Sequence, residues 1–152
     1  MLIDENLVLL DCQCQTKGEV IEMVASLFDQ CGKLYSKDGY IQAVYDREAQ
    51  ISTNMGDGIG MPHALDVSVK EVGLCFIRLV NPIIWDEETK ENPVRIVFGI
   101  AVPKNGGDTH LRIIAKLARK LIYDEFKEQL FQVRDKMEVL DLIRDATKGA
   151  LE

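Results

Sequence analysis

Histidine is almost absent from this chain: 2 of its 152 residues, His63 and His110. Four prolines and one tryptophan complete a short list of special residues, and aromatics make up only 7%. The core is therefore expected to be mostly aliphatic, drawn from a hydrophobic share of 47% that amply supplies one domain. Basic residues are outnumbered, 18 Lys and Arg against 25 Asp and Glu, for a net charge of -7. That balance argues against a nucleic-acid binder, which draws its affinity from neutralising phosphates. No apolar run approaches the length of a bilayer span. The opening MLIDENLVLLDC has no basic region, apolar stretch and cleavage site in series, so a secretory leader is not expected and a cytoplasmic location is.

Catalytic signatures are missing too. There is no Walker loop, no GxSxG elbow and no HExxH or comparable metal cluster. The four cysteines, Cys12, Cys14, Cys31 and Cys75, lack zinc-knuckle spacing and are read as reduced, partly buried apolar side chains. Cys12 and Cys14 are expected to share one face of a strand. Neither a metal nor another cofactor is called for.

What is present alternates between strand and helix. LVLLDC (7–12) reads as an opening strand, and Thr16 with Glu19 fits a capping box for a helix that Gly32 ends. A second helix is expected after Ser36, ending near Arg47. VGLCFIRLV (72–80) and VRIVFGIAV (94–102) read as buried strands. A helix begins near Thr109 with Ile113, Ile114, Leu117, Ala118 and Leu121 on one face. Two short helices follow, the last starting after Asp135 with Glu138 at the capping-box position. Alternation of this kind implies an α/β fold, one domain over residues 1–152. Between the second helix and the first buried strand lies ISTNMGDGIGMPHA (51–64), the most irregular segment.

Both histidines stand in unusual settings. His63 follows Gly56-Asp57-Gly58-Ile59-Gly60 and directly succeeds Pro62, whose ring constrains the backbone entering it. Glycines can expose backbone N–H groups to an anion, so His63 reads as an imidazole presented at the rim of a phosphate nest. His110 falls in the first turn of a helix, where the dipole favours anions. A neutral imidazole with one free nitrogen is a phosphoryl acceptor, and Arg47 is placed to bind the oxygens bidentately. Taken singly, each residue also has an ordinary reading: a surface histidine, a helix-start residue, an arginine paired with Asp46 or Glu48, a turn former at Asp57.

The combination resembles a known family. Arg47-Glu48, Ser52-Thr53, GDGIGMPHA ending on the His63 block, Asn81-Pro82-Ile83-Ile84-Trp85, PVRIVFGIAVP and Thr109-His110-Leu111 are similar to the fructose/mannitol-type EIIA domains of the bacterial sugar phosphotransferase system. The resemblance implies a central mixed β-sheet flanked by helices. It implies that His63 is phosphorylated by HPr, that His110 and Arg47 stabilise the phosphate, and that Thr53, Gly56, Asp57, Gly58 and Pro62 form and support the phosphate loop. It further implies an EIIB domain of a sugar permease as acceptor, with the chain peripheral to the membrane. The nitrogen-type regulatory EIIA branch is the alternative. Asp57 stands where the family usually has Asn or Glu, and Gly60 where it often has Ala or Val. Asp57 is thus expected to need Arg47 to offset its charge, and Gly60 to loosen the approach to Met61. Ile59 and Met61 are expected at an apolar docking rim.

Overall fold

The computed structural model describes residues 1–151. Its strands are β1 (Val8–Cys12), β2 (Asn54–Gly56), β3 (Ile59–Gly60), β4 (His63–Asp66), β5 (Gly73–Ile83) and β6 (Val94–Pro103). Its helices are α1 (Lys17–Gln30), α2 (Lys37–Gln50), α3 (Thr109–Leu121), α4 (Asp124–Gln132) and α5 (Lys136–Ala146).

Local chemistry explains most of these boundaries. Thr16 Oγ1 accepts from Glu19 N–H at 3.1 Å, and the Glu19 carboxylate reaches back to Gln15 N–H at 3.0 Å, one residue before the expected partner. Gly32 leaves α1 at φ 73°, a left-handed conformation that costs glycine nothing. Ser36 caps α2 through Gly39 N–H. The helix continues past Arg47 to Gln50, three residues beyond the expected end. Asp135 caps α5 through Met137 N–H rather than through a box with Glu138. Cys14 falls outside β1, so the pair share no strand face; a bent exit instead brings the Cys12 and Cys14 sulfurs to 3.3 Å.

The sheet is mixed, in the order β1-β5-β6-β3-β2. The two long apolar strands, β5 and β6, run antiparallel at its centre, and Phe76 and Phe98 meet edge to face across them at 5.5 Å. Along its other edge β6 carries two short parallel partners in succession. β3 pairs with Ile96 and Val97, and β4 pairs with Ile100 to Pro103. Pro62 bridges the gap, its carbonyl accepting from Ile100 N–H at 3.1 Å. This splice brings His63 directly beside Ile100.

Helices flank the sheet. α1 and α2 pack together, against β5 and β4 respectively, while α3 and α5 pack on β6 and β1. Tyr40 of α2 donates its buried hydroxyl to Ile100 O at 2.8 Å, which ties the helix carrying Arg47 to the strand that backs His63. Arg78 of β5, itself buried, donates to Leu130 O and Val133 O and so holds the C-terminal end of α4.

Candidate functional site

Three elements distant in sequence converge at the splice: the last turn of α2 with Arg47, the first residue of β4 with His63, and the first turn of α3 with His110. The imidazole rings of His63 and His110 lie 6.4 Å apart between centroids, inclined at 29°. Two cavities open on them. One, of about 280 Å³, is lined by Asp46, Arg47, His63, Asp66 and His110. The other, of about 300 Å³, is lined by Arg47, Thr53, Met55, His63, His110 and Leu111.

His63 is 8% exposed, and its Nδ1 lies 2.8 Å from Met61 O. A carbonyl can only accept, so the proton resides on Nδ1 and Nε2 keeps its lone pair. Burial, chiefly, lowers the His63 pKa from the ordinary 6.5. The Met61 contact and Glu48 oppose that shift, while Arg47 and His110 reinforce it. The ring is therefore neutral at physiological pH. The unfolded chain takes up a proton near pH 6.5 that folded His63 refuses, so acidification through that value lowers stability. Below it the folded ring is still an unprotonated nucleophile until its own pKa is reached. Nuclear magnetic resonance titration should place the His63 midpoint below 6.5, with phosphoryl acceptance level across neutral pH; a midpoint above 6.5 contradicts this electrostatic account.

Arg47 is half-buried, and its guanidinium donates to Ile51 O at 2.9 Å, which steadies it at the helix end. His110 Nδ1 is buried without a hydrogen-bond partner among the described residues. Such a group is normally satisfied.

Of the other expected site residues, Thr53 lines the second cavity and Pro62 supports the splice, but the glycine segment is placed elsewhere. Asp57 and Gly58, at φ 56° and 83°, are the two central residues of a tight hairpin turn between β2 and β3. Positive φ at both positions is what an Asp-Gly hairpin turn requires. Gly56, Asp57 and Gly58 line neither cavity. Asp57 points to Lys127 of α4 at 3.0 Å, so its charge is offset by that lysine and not by Arg47. The expected phosphate nest is thus a structural hairpin, and His63 is seated in a strand rather than on a glycine rim. Gly60 is not a point of looseness: a Cβ there would lie 3.2 Å from Val94 Cγ1 and 3.5 Å from the Trp85 ring. Ile59 and Met61 are core residues, and the exposed apolar side chains near the site are Met55, Leu65 and Leu111. Glu48, to which sequence reasoning gave no role of its own, proves to be a buried member of the site's framework. Its place directly after Arg47 was the available signal.

A mixed sheet that seats a neutral, tautomer-fixed imidazole beside a second histidine and an arginine brings together the groups that phosphoryl transfer calls for. The family model for the phosphoenolpyruvate-dependent sugar phosphotransferase system, EIIA 2, matches residues 1–146, and the chain belongs to that family of phosphotransferases. The fructose-specific EIIA component of Haloferax volcanii is 30% identical over 143 residues, 94% of this chain and 92% of the relative. The fructose-specific EIIABC component of Bacillus subtilis is 29% identical over 147 residues; the alignment takes in 97% of this chain and 23% of that longer protein. Among solved structures, the nitrogen regulatory protein IIA-Ntr of Neisseria meningitidis superposes with a TM-score of 0.84 at 27% identity, covering 92% of this chain and 94% of that one. The mannitol enzyme IIA of Escherichia coli, in its complex with phosphorylated enzyme IIB, gives 0.79 at 26% identity, covering 94% and 97%. No helix among the described residues is long and apolar enough to cross a membrane.

Proposed function

We propose that residues 1–152 form one EIIA-type unit in which His63 Nε2 accepts a phosphoryl group from the phosphohistidine of HPr and passes it to a cysteine of an EIIB domain, serving uptake of fructose or a hexitol such as mannitol. The observation that carries this reading is the bond from His63 Nδ1 to Met61 O in a buried site. It leaves one nitrogen nucleophilic and removes the choice of tautomer.

In the first step the Nε2 lone pair attacks phosphorus, the donor's N–P bond breaks, and the donor imidazole recovers its own lone pair. The proton stays on Nδ1, donated to Met61 O, throughout. In the second step the EIIB thiolate attacks, the new N–P bond breaks, and His63 returns to its starting form. Little covalent work is asked of the protein; positioning and charge around the three phosphoryl oxygens are the main demands. Arg47 supplies fixed positive charge and His110 an N–H. The relatives named for fructose and the mannitol IIA–IIB complex support EIIB as acceptor.

Likeness to the nitrogen regulatory protein supports a second reading, in which the phosphorylation state governs partner binding. Incubation with phosphoenolpyruvate, enzyme I and HPr separates the two. The expected result is acid-labile label on the chain that moves to a fructose or mannitol EIIB when one is added. Label that stays put favours regulation, and a chain that takes no label overturns the carrier reading.

A further inference from the structure

Glu48 is an anion with only 4% of its side chain exposed, in the last turn of α2. A buried carboxylate is costly unless its surroundings compensate it. Here Lys17 Nζ lies 2.8 Å from Oε2, Thr53 Oγ1 donates to Oε1, and Thr53 N–H donates to Oε2 at 3.4 Å. Lys17 is itself held at its other side, 5.3 Å above the Trp85 ring and 3.9 Å from Asp86 Oδ2. Two further hydrogen bonds, each to a backbone carbonyl, continue the series. Thr53 O accepts from Met61 N–H at 2.9 Å, and Met61 O accepts from His63 Nδ1–H at 2.8 Å.

The series ends on the group that fixes the nucleophile's proton. Thr53 precedes β2, whose first paired residue is Asn54 opposite Gly60. Its side chain and N–H are therefore held by Glu48 and not by the sheet. A buried Lys–Glu pair is weak evidence for stability, since apolar residues of similar size usually serve that end as well. Geometric control of a carbonyl is something apolar residues cannot supply.

We propose that Glu48 and Lys17 are positioning residues for phosphoryl transfer: they hold Thr53, and through it the Met61 carbonyl that keeps the proton on His63 Nδ1. The proposal rests on His63 as acceptor. Lys17, on the first turn of α1, belongs to the reaction although it touches neither histidine.

Charge and geometry are separable by substitution. Glu48→Asp keeps the charge and withdraws the carboxylate by one methylene; Glu48→Gln keeps the reach and removes the charge. Lys17→Met removes the ammonium, and Lys17→Arg restores a cation. The primary readout is the tautomer of His63 in the free protein, from ¹⁵N chemical shifts of the imidazole, taken with the thermal midpoint. The second is transfer from phospho-HPr. Glu48→Asp should give a mixture of tautomers and a kcat lower by about 10- to 100-fold, with KM for phospho-HPr within about twofold, since small misplacements of reacting groups are costly. Lys17→Met should move both readouts the same way, and Lys17→Arg should recover most of the loss. Folded Glu48→Asp with His63 wholly in the Nδ1–H form and an unchanged kcat overturns the proposal. If Glu48→Asp does not fold, Lys17→Met decides by the same two readouts. Wild type that is never labelled refutes the carrier reading and with it the role in transfer, while the tautomer measurement, which needs no phosphoryl donor, still decides whether Glu48 and Lys17 hold the His63 proton.

Discussion

His63→Ala is expected to take up no phosphoryl group from phospho-HPr, whereas His110→Ala retains acceptance at a rate lower by about 10²- to 10³-fold, the usual effect of losing one donor to a developing oxyanion. The asymmetry follows from position. On the proposed reading His63 offers the lone pair, and His110, 6.4 Å away between ring centroids, assists. Alanine at 63 also orphans the buried Met61 carbonyl, at a cost of about 1–3 kcal/mol. His63→Asn separates the two losses, because its side-chain amide can still donate to Met61 O. It should recover thermal stability and remain wholly inactive. Label on His63→Ala at a level equal to wild type would assign the nucleophile elsewhere.

Gly99→Val should be the most damaging single change to the fold. Gly99 lies in the middle of β6, opposite Cys75 of β5. A Cβ there would stand 2.6 Å from Val24 Cγ1 and 2.7 Å from Cys75 Sγ, closer than side-chain carbons come in real structures. Val24 and Cys75 are both buried and cannot swing into solvent. The substitution forces α1 away from the sheet and is expected to cost about 3 kcal/mol or more. For a chain of this length that is a fall of roughly 10 °C in the thermal midpoint, read by calorimetry or circular dichroism. A midpoint within a degree or two of wild type would mean that α1 shifts on the sheet without loss of packing. Because Lys17 lies on α1, the same variant tests whether movement of that helix reaches His63.

Sequence reasoning succeeded where the deciding interaction is local. Thr16 and Glu19 settle their cap within one helical turn, and β5 and β6 advertise themselves as continuous apolar runs because both of their faces are covered. His63, His110 and Arg47, which the structure brings to one cavity, were singled out because the proposed chemistry calls for a neutral imidazole and a guanidinium. Failure came where neighbours in the chain were treated as neighbours in space. The glycines precede His63 by only a few residues, yet Asp57 finds its partner 70 residues away in Lys127. The strands β2, β3 and β4 have 3, 2 and 4 residues, too few to show any period; β3 and β4 exist because β6 offers them an edge, and β2 because β3 does. The pairing of Lys17 with Glu48 depends on how two helices pack, which neither helix announces alone. Even the short bond from His63 to Met61 O depends on the extended backbone that Pro62 imposes and β6 extends.

The exit of β1 has a meaning beyond its own strand. β1 forms one margin of the sheet, and there Asp11 is exposed with φ 57° while the pairing with β5 slips between Leu9 and Cys12. The opposite margin is shared by β2, three residues long and ending in a glycine turn, and the four-residue β4. A strand from another molecule needs several consecutive, regularly spaced donors and acceptors to add itself to a sheet. One margin offers a charged kink and the other is broken into two short pieces. On the proposed reading the chain meets two partners in turn and releases both; its margins protect it from self-templated growth into fibres, and a straightened β1, as in Asp11→Val, would remove part of that protection.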